Sequence, residues 1–181
     1  MQGTLFYVIG ASGAGKDSLL KAAREQLAAQ RVVFAHRYIT RPVELAGENH
    51  IQLSPQEFHT RKQAGLFAMH WHSHDLDYGL GIEINDWLAK GLNVVMNGSR
   101  AYLPEAAKRY PDNLVPVLVR VPPEILRARL EARGRETAAQ IDERLSGALA
   151  FEQLNHPRLI VINNDRGLSE ASAQLVEVLC P

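Results

Sequence analysis

The residues most suggestive of chemistry form a glycine-rich loop near the start of the chain. They are Gly10, Ala11, Ser12, Gly13, Ala14, Gly15, Lys16, Asp17 and Ser18. As far as the lysine, their spacing is G-x-x-x-x-G-K, the pattern of a phosphate-binding loop. In such a loop backbone N–H groups surround a phosphate, and the lysine reaches the β- and γ-phosphates. The loop therefore predicts binding of a nucleoside triphosphate.

The residue after Lys16 departs from this pattern. The pattern requires Ser or Thr there, whose hydroxyl ligates Mg²⁺, whereas the chain has Asp17 followed by Ser18. We predict that Asp17 and Ser18 form the Mg²⁺ site. Two roles are open for Asp17: its carboxylate contacts the ion directly or through water, or it only stabilises the first turn of a helix.

The elements on either side of the loop must position it. Residues 4–9 are an apolar run typical of a buried parallel strand, and residues 18–29 carry apolar side chains at helical spacing. A strand, a glycine loop and a helix in this order place a phosphate at a helix N-terminus, where the helix dipole favours an anion.

Apolar runs alternate with helical patterns along most of the chain. This alternation predicts an α/β fold of the P-loop type, with a mainly parallel sheet flanked by helices. Further strands are expected at residues 32–34, 94–96, 115–121 and 159–162. Further helices are expected at residues 55–64, 84–90, 101–109, 124–132, 137–152 and 169–179.

Residues 35–90 lack this alternation and show only short extended stretches at 38–40, 51–53 and 67–72. We interpret them as an insertion that binds the acceptor substrate. The prediction is a single kinase domain over residues 1–181, whose parts are a core at about 1–34 and 91–181, an acceptor lobe at about 35–90 and a lid at about 129–145.

Composition limits the class of protein. The 181 residues are 46% hydrophobic and 22% charged, with a net charge of zero, as in ordinary globular domains. No basic stripe suggests a nucleic-acid partner, and no apolar run approaches a membrane span. Cys180 is the only cysteine, which suits a reducing cytosol. A cytoplasmic enzyme with a small-molecule substrate is therefore expected; the oligomeric state is left open.

Beyond the loop, four segments resemble the guanylate kinase branch of the nucleoside monophosphate kinases. Residues 40–42 are similar to that family's T-R-x-P-R segment, and residues 65–79 to its G-x-F-x-E-W-x-x-x-x-x-x-Y-Y-G segment. Residues 129–134 with Arg144 are similar to its lid motif, and residues 163–165 to a turn near the adenine. The resemblance covers nearly the whole chain and implies a P-loop core, an acceptor lobe and a mobile lid.

The same resemblance implies roles for particular residues. Lys16, Arg133 and Arg144 carry over as catalytic residues, the two arginines as the lid pair that closes on the phosphates being exchanged. Arg41 and Tyr78 carry over as ligands of the acceptor phosphate. ATP and Mg²⁺ are the implied cofactors.

Other positions depart from guanylate kinases. Met69 and Leu80 stand where those enzymes have a Glu and a Ser or Thr that read guanine. Neither side chain can hydrogen-bond the guanine edge. Asn97 replaces an Asp, and Arg100 replaces a small residue. The phosphate-transfer residues are thus present while the base-reading residues are absent.

Two short motifs give a closer resemblance. G-K-D-S at residues 15–18 and N-G-S-R-A at residues 97–101 are similar to the ribose 1,5-bisphosphate phosphokinases of phosphonate utilisation. This resemblance implies ATP-dependent phosphorylation of the 1-phosphate of ribose 1,5-bisphosphate, which yields 5-phospho-α-D-ribose 1-diphosphate (PRPP) and ADP. It also marks Asn97 as a substrate-binding residue.

The residues fit such a reaction. A phosphate monoester is mostly a dianion at pH 7, because its second pKa is near 6, so the acceptor needs no general base. Catalysis then consists mainly of positioning two anions and neutralising their charge. We add Arg37 and Arg100 as predicted substrate ligands, because the planar guanidinium group meets phosphate bidentately.

Two other functions are open. One is a nucleoside monophosphate kinase with an altered base preference, in which a base stacks on Tyr78. The other is a non-catalytic, guanylate-kinase-like interaction module.

Three histidines, His70, His72 and His74, would lie on one face of a strand. They are open to three interpretations: a zinc site, a hydrogen bond to substrate, or a surface face without function.

Overall fold

A computed structural model describes residues 2–43 and 48–180. The strands there are β1 (Leu5–Gly10), β2 (Val32–Phe34), β3 (Arg37–Ile39), β4 (Ile51–Gln52), β5 (Phe67–Ser73), β6 (Leu76–Gly81), β7 (Asn93–Asn97), β8 (Leu114–Arg120) and β9 (Ile160–Asn163). The helices there are α1 (Lys16–Gln26), α2 (Pro55–Gln63), α3 (Glu83–Ala89), α4 (Leu103–Arg109), α5 (Pro123–Arg133), α6 (Ala138–Glu152) and α7 (Leu168–Leu179).

The larger sheet has the strand order β2-β7-β1-β8-β9. β2 pairs with β7 and β8 pairs with β9, both in parallel. The predicted α/β class with a mainly parallel sheet flanked by helices is therefore confirmed. The apolar run of β1 lies in the core, where Leu5, Tyr7 and Val8 have no exposed surface, as expected of a strand covered on both faces.

The contacts between Cα atoms divide the chain into two compact units. One comprises Met1–Phe6 and Arg31–Leu114, and the other comprises Tyr7–Gln30 and Val115–Pro181. The boundaries of these units differ from those of the predicted core and acceptor lobe. The single kinase domain with its lobe and lid stays a prediction.

In the first unit a smaller sheet has the order β4-β3-β6-β5. β6 pairs antiparallel with both β3 and β5. The sequence patterns did not predict β6, because its two glycines lower strand propensity. Gly79 is needed here, because a Cβ at this residue would lie 2.8 Å from the ring of Phe67. Phe67 in turn packs with Phe58 of α2 and with Leu53.

In the second unit α1 packs on α7, and α5 packs on α6. α1 begins at Lys16 rather than at residue 18, so the end of the glycine loop is also the N-terminus of the helix. α6 begins with a capping box formed by Thr137 and Gln140. No helix within residues 2–43 and 48–180 has the length and apolar character needed to cross a membrane.

Candidate functional site

The glycine loop in the second unit has a backbone that only glycine adopts easily. Gly13 and Gly15 have φ angles of 88° and 82°, in the left-handed region. A Cβ on Gly13 would lie 2.9 Å from the side chain of Leu130, and one on Gly15 would lie 2.7 Å from that of Asn164. The N–H groups of a helix's first turn have no acceptors within the helix. The start of α1 therefore suits an anion.

Asn164, at the end of β9, holds the loop in place. Its Nδ2 donates to the carbonyl of Ala14 at 2.8 Å, and its own carbonyl accepts from Arg129 at 2.7 Å. The side chain is buried, and its Oδ1 has no hydrogen-bond partner among the described residues. The resemblance to guanylate kinases implied that residues 163–165 form a turn near the adenine but did not identify Asn164 as a support for the loop.

The predicted Mg²⁺ ligands lie in the first turn of α1. The Asp17 side chain is 56% exposed, and its carboxylate lies 3.4 Å from the Nζ of Lys16. Ser18 is also exposed. A carboxylate and a hydroxyl beside a phosphate-binding lysine are oxygen donors of the kind that Mg²⁺ prefers, so the donor set fits this ion.

The two predicted lid arginines differ in their surroundings. Arg144 on α6 donates to the hydroxyl of Ser12 in the glycine loop and lies 3.2 Å from a carboxylate oxygen of Glu136. The structure thus brings Arg144 to the loop. Arg133 is exposed at the last position of α5, before Gly134 at φ 63°. Its guanidinium makes no hydrogen bond or ion pair with the part of the chain that the structure describes.

The predicted acceptor-phosphate residues lie in the first unit, where Glu48 joins two of them. Arg37 binds Glu48 through two hydrogen bonds, the one from Nε measuring 2.6 Å. Arg41 lies 3.8 Å from the same carboxylate. The Nε of Arg41 is buried without a partner among the described residues. Arg37 is thus committed to Glu48, whereas Arg41 keeps hydrogen-bonding capacity.

An aromatic group covers the predicted ligand Tyr78. The Trp71 ring is parallel to it, with centroids 5.6 Å apart, and the Tyr102 ring stacks on Trp71 at 5.1 Å. The Arg37 guanidinium lies 4.9 Å from the Tyr78 centroid. Sequence reasoning missed Glu48, Trp71 and Tyr102, although Trp71 and Tyr78 could have been paired from the spacing of a hairpin.

The positions that read guanine in guanylate kinases are part of the core. Met69 on β5 and Leu80 on β6 are paired across the strands, and neither has exposed surface. These side chains cannot hydrogen-bond a ligand, and they have no exposed surface for a ligand to contact. The interpretation that guanine recognition is absent therefore rests on burial as well as on residue type.

Two further predicted ligands lie at or near the end of β7. Asn97 is its last residue and is 7% exposed. Arg100 is exposed in the turn before α4. The helix predicted at residues 101–109 is present but begins two residues later, at Leu103. Arg100 lies three residues before the start of α4, and the roles of Asn97 and Arg100 as substrate ligands stay predictions.

The expectation of three histidines on one strand face was wrong. β5 ends at Ser73, and His74 follows in a turn with φ 50°. His72 binds Asp77 at 2.9 Å. Burial, together with the charges of Lys62 and Arg109, lowers the pKa of His70. Among the described residues no group of three or more His, Cys, Asp or Glu side chains could hold a metal ion.

Comparisons with known proteins identify relatives of this chain. The chain is 57% identical over 178 residues to a ribose 1,5-bisphosphate phosphokinase PhnN from Psychromonas ingrahamii, an alignment that covers 98% of this chain and 90% of the relative. It is 60% identical over 181 residues to the protein of the same name from Thiobacillus denitrificans, covering 98% and 93%. The relative of that name from Yersinia pestis is 50% identical over 175 residues, covering 97% and 90%.

The solved structure of a guanylate kinase from Anaplasma phagocytophilum superimposes with a TM-score of 0.70 and 16% identity, covering 98% of this chain and 85% of that one. This similarity shows the fold. No protein-family model matches the chain.

Proposed function

Since the chain belongs to the ribose 1,5-bisphosphate phosphokinase family, we propose that it transfers the γ-phosphoryl group of ATP to the 1-phosphate of ribose 1,5-bisphosphate. The products are PRPP and ADP. An acceptor oxygen forms a bond to the γ-phosphorus while the bond from that phosphorus to the β–γ bridging oxygen breaks. No proton needs to be removed, because the acceptor phosphate is mostly a dianion at pH 7.

The observation that carries this proposal is the contact of Arg144 with Ser12 in the glycine loop. It places a second cation, besides Lys16, at the loop that would hold the triphosphate. A charge-stabilising arginine contributes about 10³–10⁵ in rate in related phosphoryl transfers. We assign Lys16, Arg144 and Arg133 to neutralising the charge of the transferred group.

The cofactors follow from the same loop. The residues from Gly10 to Ser18 would hold the phosphates of ATP, and Asp17 and Ser18 would hold Mg²⁺. Bound Mg²⁺ neutralises the charge shared by the β- and γ-phosphates. On the acceptor side, Arg41, whose Nε has no partner among the residues that the structure describes, is the foremost phosphate ligand, and Tyr78, Asn97, Arg37 and Arg100 are assigned to the same substrate.

The sugar-phosphate acceptor is preferred over a nucleoside monophosphate because Met69 and Leu80 are buried. The test is incubation with Mg-ATP and, separately, ribose 1,5-bisphosphate, ribose 5-phosphate, GMP or AMP, followed by ³¹P NMR. A new diphosphate pair, formed only with the bisphosphate, is expected. Turnover of GMP or AMP alone would instead identify a nucleoside monophosphate kinase. Failure to bind ATP would favour the non-catalytic module.

A further inference from the structure

Glu136 lies just before α6 and has an unusual environment for a carboxylate. Its side chain is 7% exposed. One carboxylate oxygen lies 3.2 Å from Nη2 of Arg144, while the other, Oε2, is buried without a hydrogen-bond partner among the described residues. Glu136 is therefore a buried carboxylate in which only one of the two oxygens has a partner among the described residues.

Such an arrangement is unfavourable for folding. A carboxylate loses much of its hydration on burial, and a single ion pair often fails to compensate for that loss. Replacing a whole buried ion pair by well-packed apolar side chains is often neutral or stabilising, and removing one partner is costly mainly when it leaves the other charge buried. Arg144 does not depend on Glu136 for solvation, because its side chain is 34% exposed and it also donates to Ser12. Stability alone thus gives no reason for a charge at this position.

The local structure fixes where this charge lies. Thr137 caps α6 by accepting from the backbone N–H of Gln140, and the Gln140 side chain accepts from the N–H of Thr137. This reciprocal pair holds the backbone next to Glu136 in one geometry. Arg144 lies on the same helix, so the helix and its cap set the separation of the carboxylate and the guanidinium.

We propose that Glu136 is a positioning residue that holds the Arg144 guanidinium at the glycine loop. The inference rests on the proposed function, because it assigns Arg144 to the phosphoryl group being transferred. Glu136 restricts a long side chain that would otherwise sample many rotamers. A preoriented guanidinium lowers the barrier of the reaction step, because it needs no reorganisation when charge moves in the transition state. A residue that supports Arg144 in this way affects kcat more than the binding of either substrate.

The experiment compares wild type with Glu136→Gln, which keeps the size of the side chain and removes its charge. The matched control is Glu131→Gln, an exposed glutamate on α5 that pairs with Arg127. Three quantities are measured: kcat and KM for Mg-ATP and ribose 1,5-bisphosphate, the unfolding midpoint in urea, and the mobility of the Arg144 guanidinium by ¹⁵N NMR in the full chain.

For Glu136→Gln we expect kcat to fall about tenfold or more, both KM values to stay within about twofold, and the urea midpoint to stay unchanged or rise. The Arg144 guanidinium should become mobile. Glu136→Asp should recover part of kcat, and the control variant should match wild type in all measurements. A lower urea midpoint with unchanged kcat would overturn the proposal and make Glu136 a purely structural residue.

The NMR measurement separates this proposal from the proposed function. If wild type turned over no acceptor but Arg144 became mobile only in Glu136→Gln, the reaction assignment would fail while the positioning would stand. If the Arg144 signals were identical in both proteins, the positioning would be refuted, whatever the activity.

Discussion

The glycine loop lies in the second unit, and the predicted acceptor residues lie in the first. Both regions contain an arginine paired with a carboxylate, but sequence patterns describe the glycine loop better than they describe the acceptor region. In each, a carboxylate with little exposed surface binds an arginine: Glu136 with Arg144, and Glu48 with Arg37. The shape of the glycine loop can be predicted from the spacing of its residues, because glycines are needed at the positive φ angles of Gly13 and Gly15. The acceptor region depends on partners that no motif marks.

The largest effect should come from the loop. Lys16→Ala should lower kcat by about 10²–10³-fold or more, because it removes a preorganised positive charge from the transferred phosphoryl group. Steady-state kinetics with ribose 1,5-bisphosphate measures this effect. Lys21→Ala, which alters an exposed lysine on the same helix, is the control. Equal activities of the two variants would remove the loop from the catalytic site.

The fold and the loop could be predicted because both depend on local sequence. Apolar runs predicted β2 at its observed bounds and the other strands of the larger sheet to within one residue at each end. The glycine spacing predicted a phosphate-binding loop, and two of its glycines, Gly13 and Gly15, adopt positive φ angles before α1. In both cases the information lies within a few residues of the structure that it determines.

The remainder depends on contacts between residues far apart in the chain. β6 was missed because its glycines conceal a strand whose partners are β3 and β5. Tyr102 reaches Trp71 from 31 positions away, and Glu48 reaches Arg37 from 11 positions away. Asn164 supports the loop across 150 positions. No pattern within one segment encodes such pairs, so they become visible only in the tertiary structure.

The second prediction separates the two acceptor arginines. Arg41→Gln should raise the KM for ribose 1,5-bisphosphate by about 10- to 100-fold, because a charged hydrogen bond contributes roughly 1.5–3 kcal/mol. The KM for ATP should not change, nor should the free energy of unfolding. Arg61→Gln is the control, because Arg61 also pairs with a glutamate and lies over a tyrosine ring.

Arg37→Gln should behave in the opposite way. It leaves the Glu48 carboxylate, which is 12% exposed, without its bidentate partner, so the free energy of unfolding should fall by roughly 1–3 kcal/mol. The acceptor KM should change less than in Arg41→Gln. Urea unfolding and steady-state kinetics measure the two effects. If both variants raised the acceptor KM equally and neither lowered stability, Arg37 would be a direct phosphate ligand.

The third prediction concerns the guanine-reading positions. Met69→Glu combined with Leu80→Ser restores the residue types of a guanylate kinase, yet we expect no turnover of GMP. Both side chains are fully buried, so the variant should be destabilised by the burial of unpaired polar groups, by at least about 2 kcal/mol. Urea unfolding and a coupled assay with GMP measure these outcomes. A stable variant that phosphorylates GMP would show that residue type alone sets acceptor choice.

The smallest effect should be the pH dependence of stability, and it again contrasts the two units. Burial and the cations Lys62 and Arg109 lower the pKa of His70 in the first unit, against an opposing influence of Asp77. Burial and Arg158 lower the pKa of His156 in the second unit. In the unfolded chain each imidazole has its ordinary pKa near 6.5. As the pH falls through this value, the histidines of the unfolded state therefore bind protons before those of the folded state do.

It follows that the contribution of these two histidines to stability falls as the pH drops through about 6.5 and that this loss ends once the pH is below both folded-state pKa values. His70→Gln should remove part of this fall, and His156→Gln should remove another part, because the two groups lie apart in the sequence and have different neighbours. Urea midpoints measured in steps from neutral to mildly acidic pH test both variants. Neither substitution should change how the midpoint varies with pH above about pH 8, where both imidazoles are neutral in either state. A pH profile of His70→Gln that coincided with that of wild type would mean that Asp77 offsets the influence of burial and of the two cations on His70.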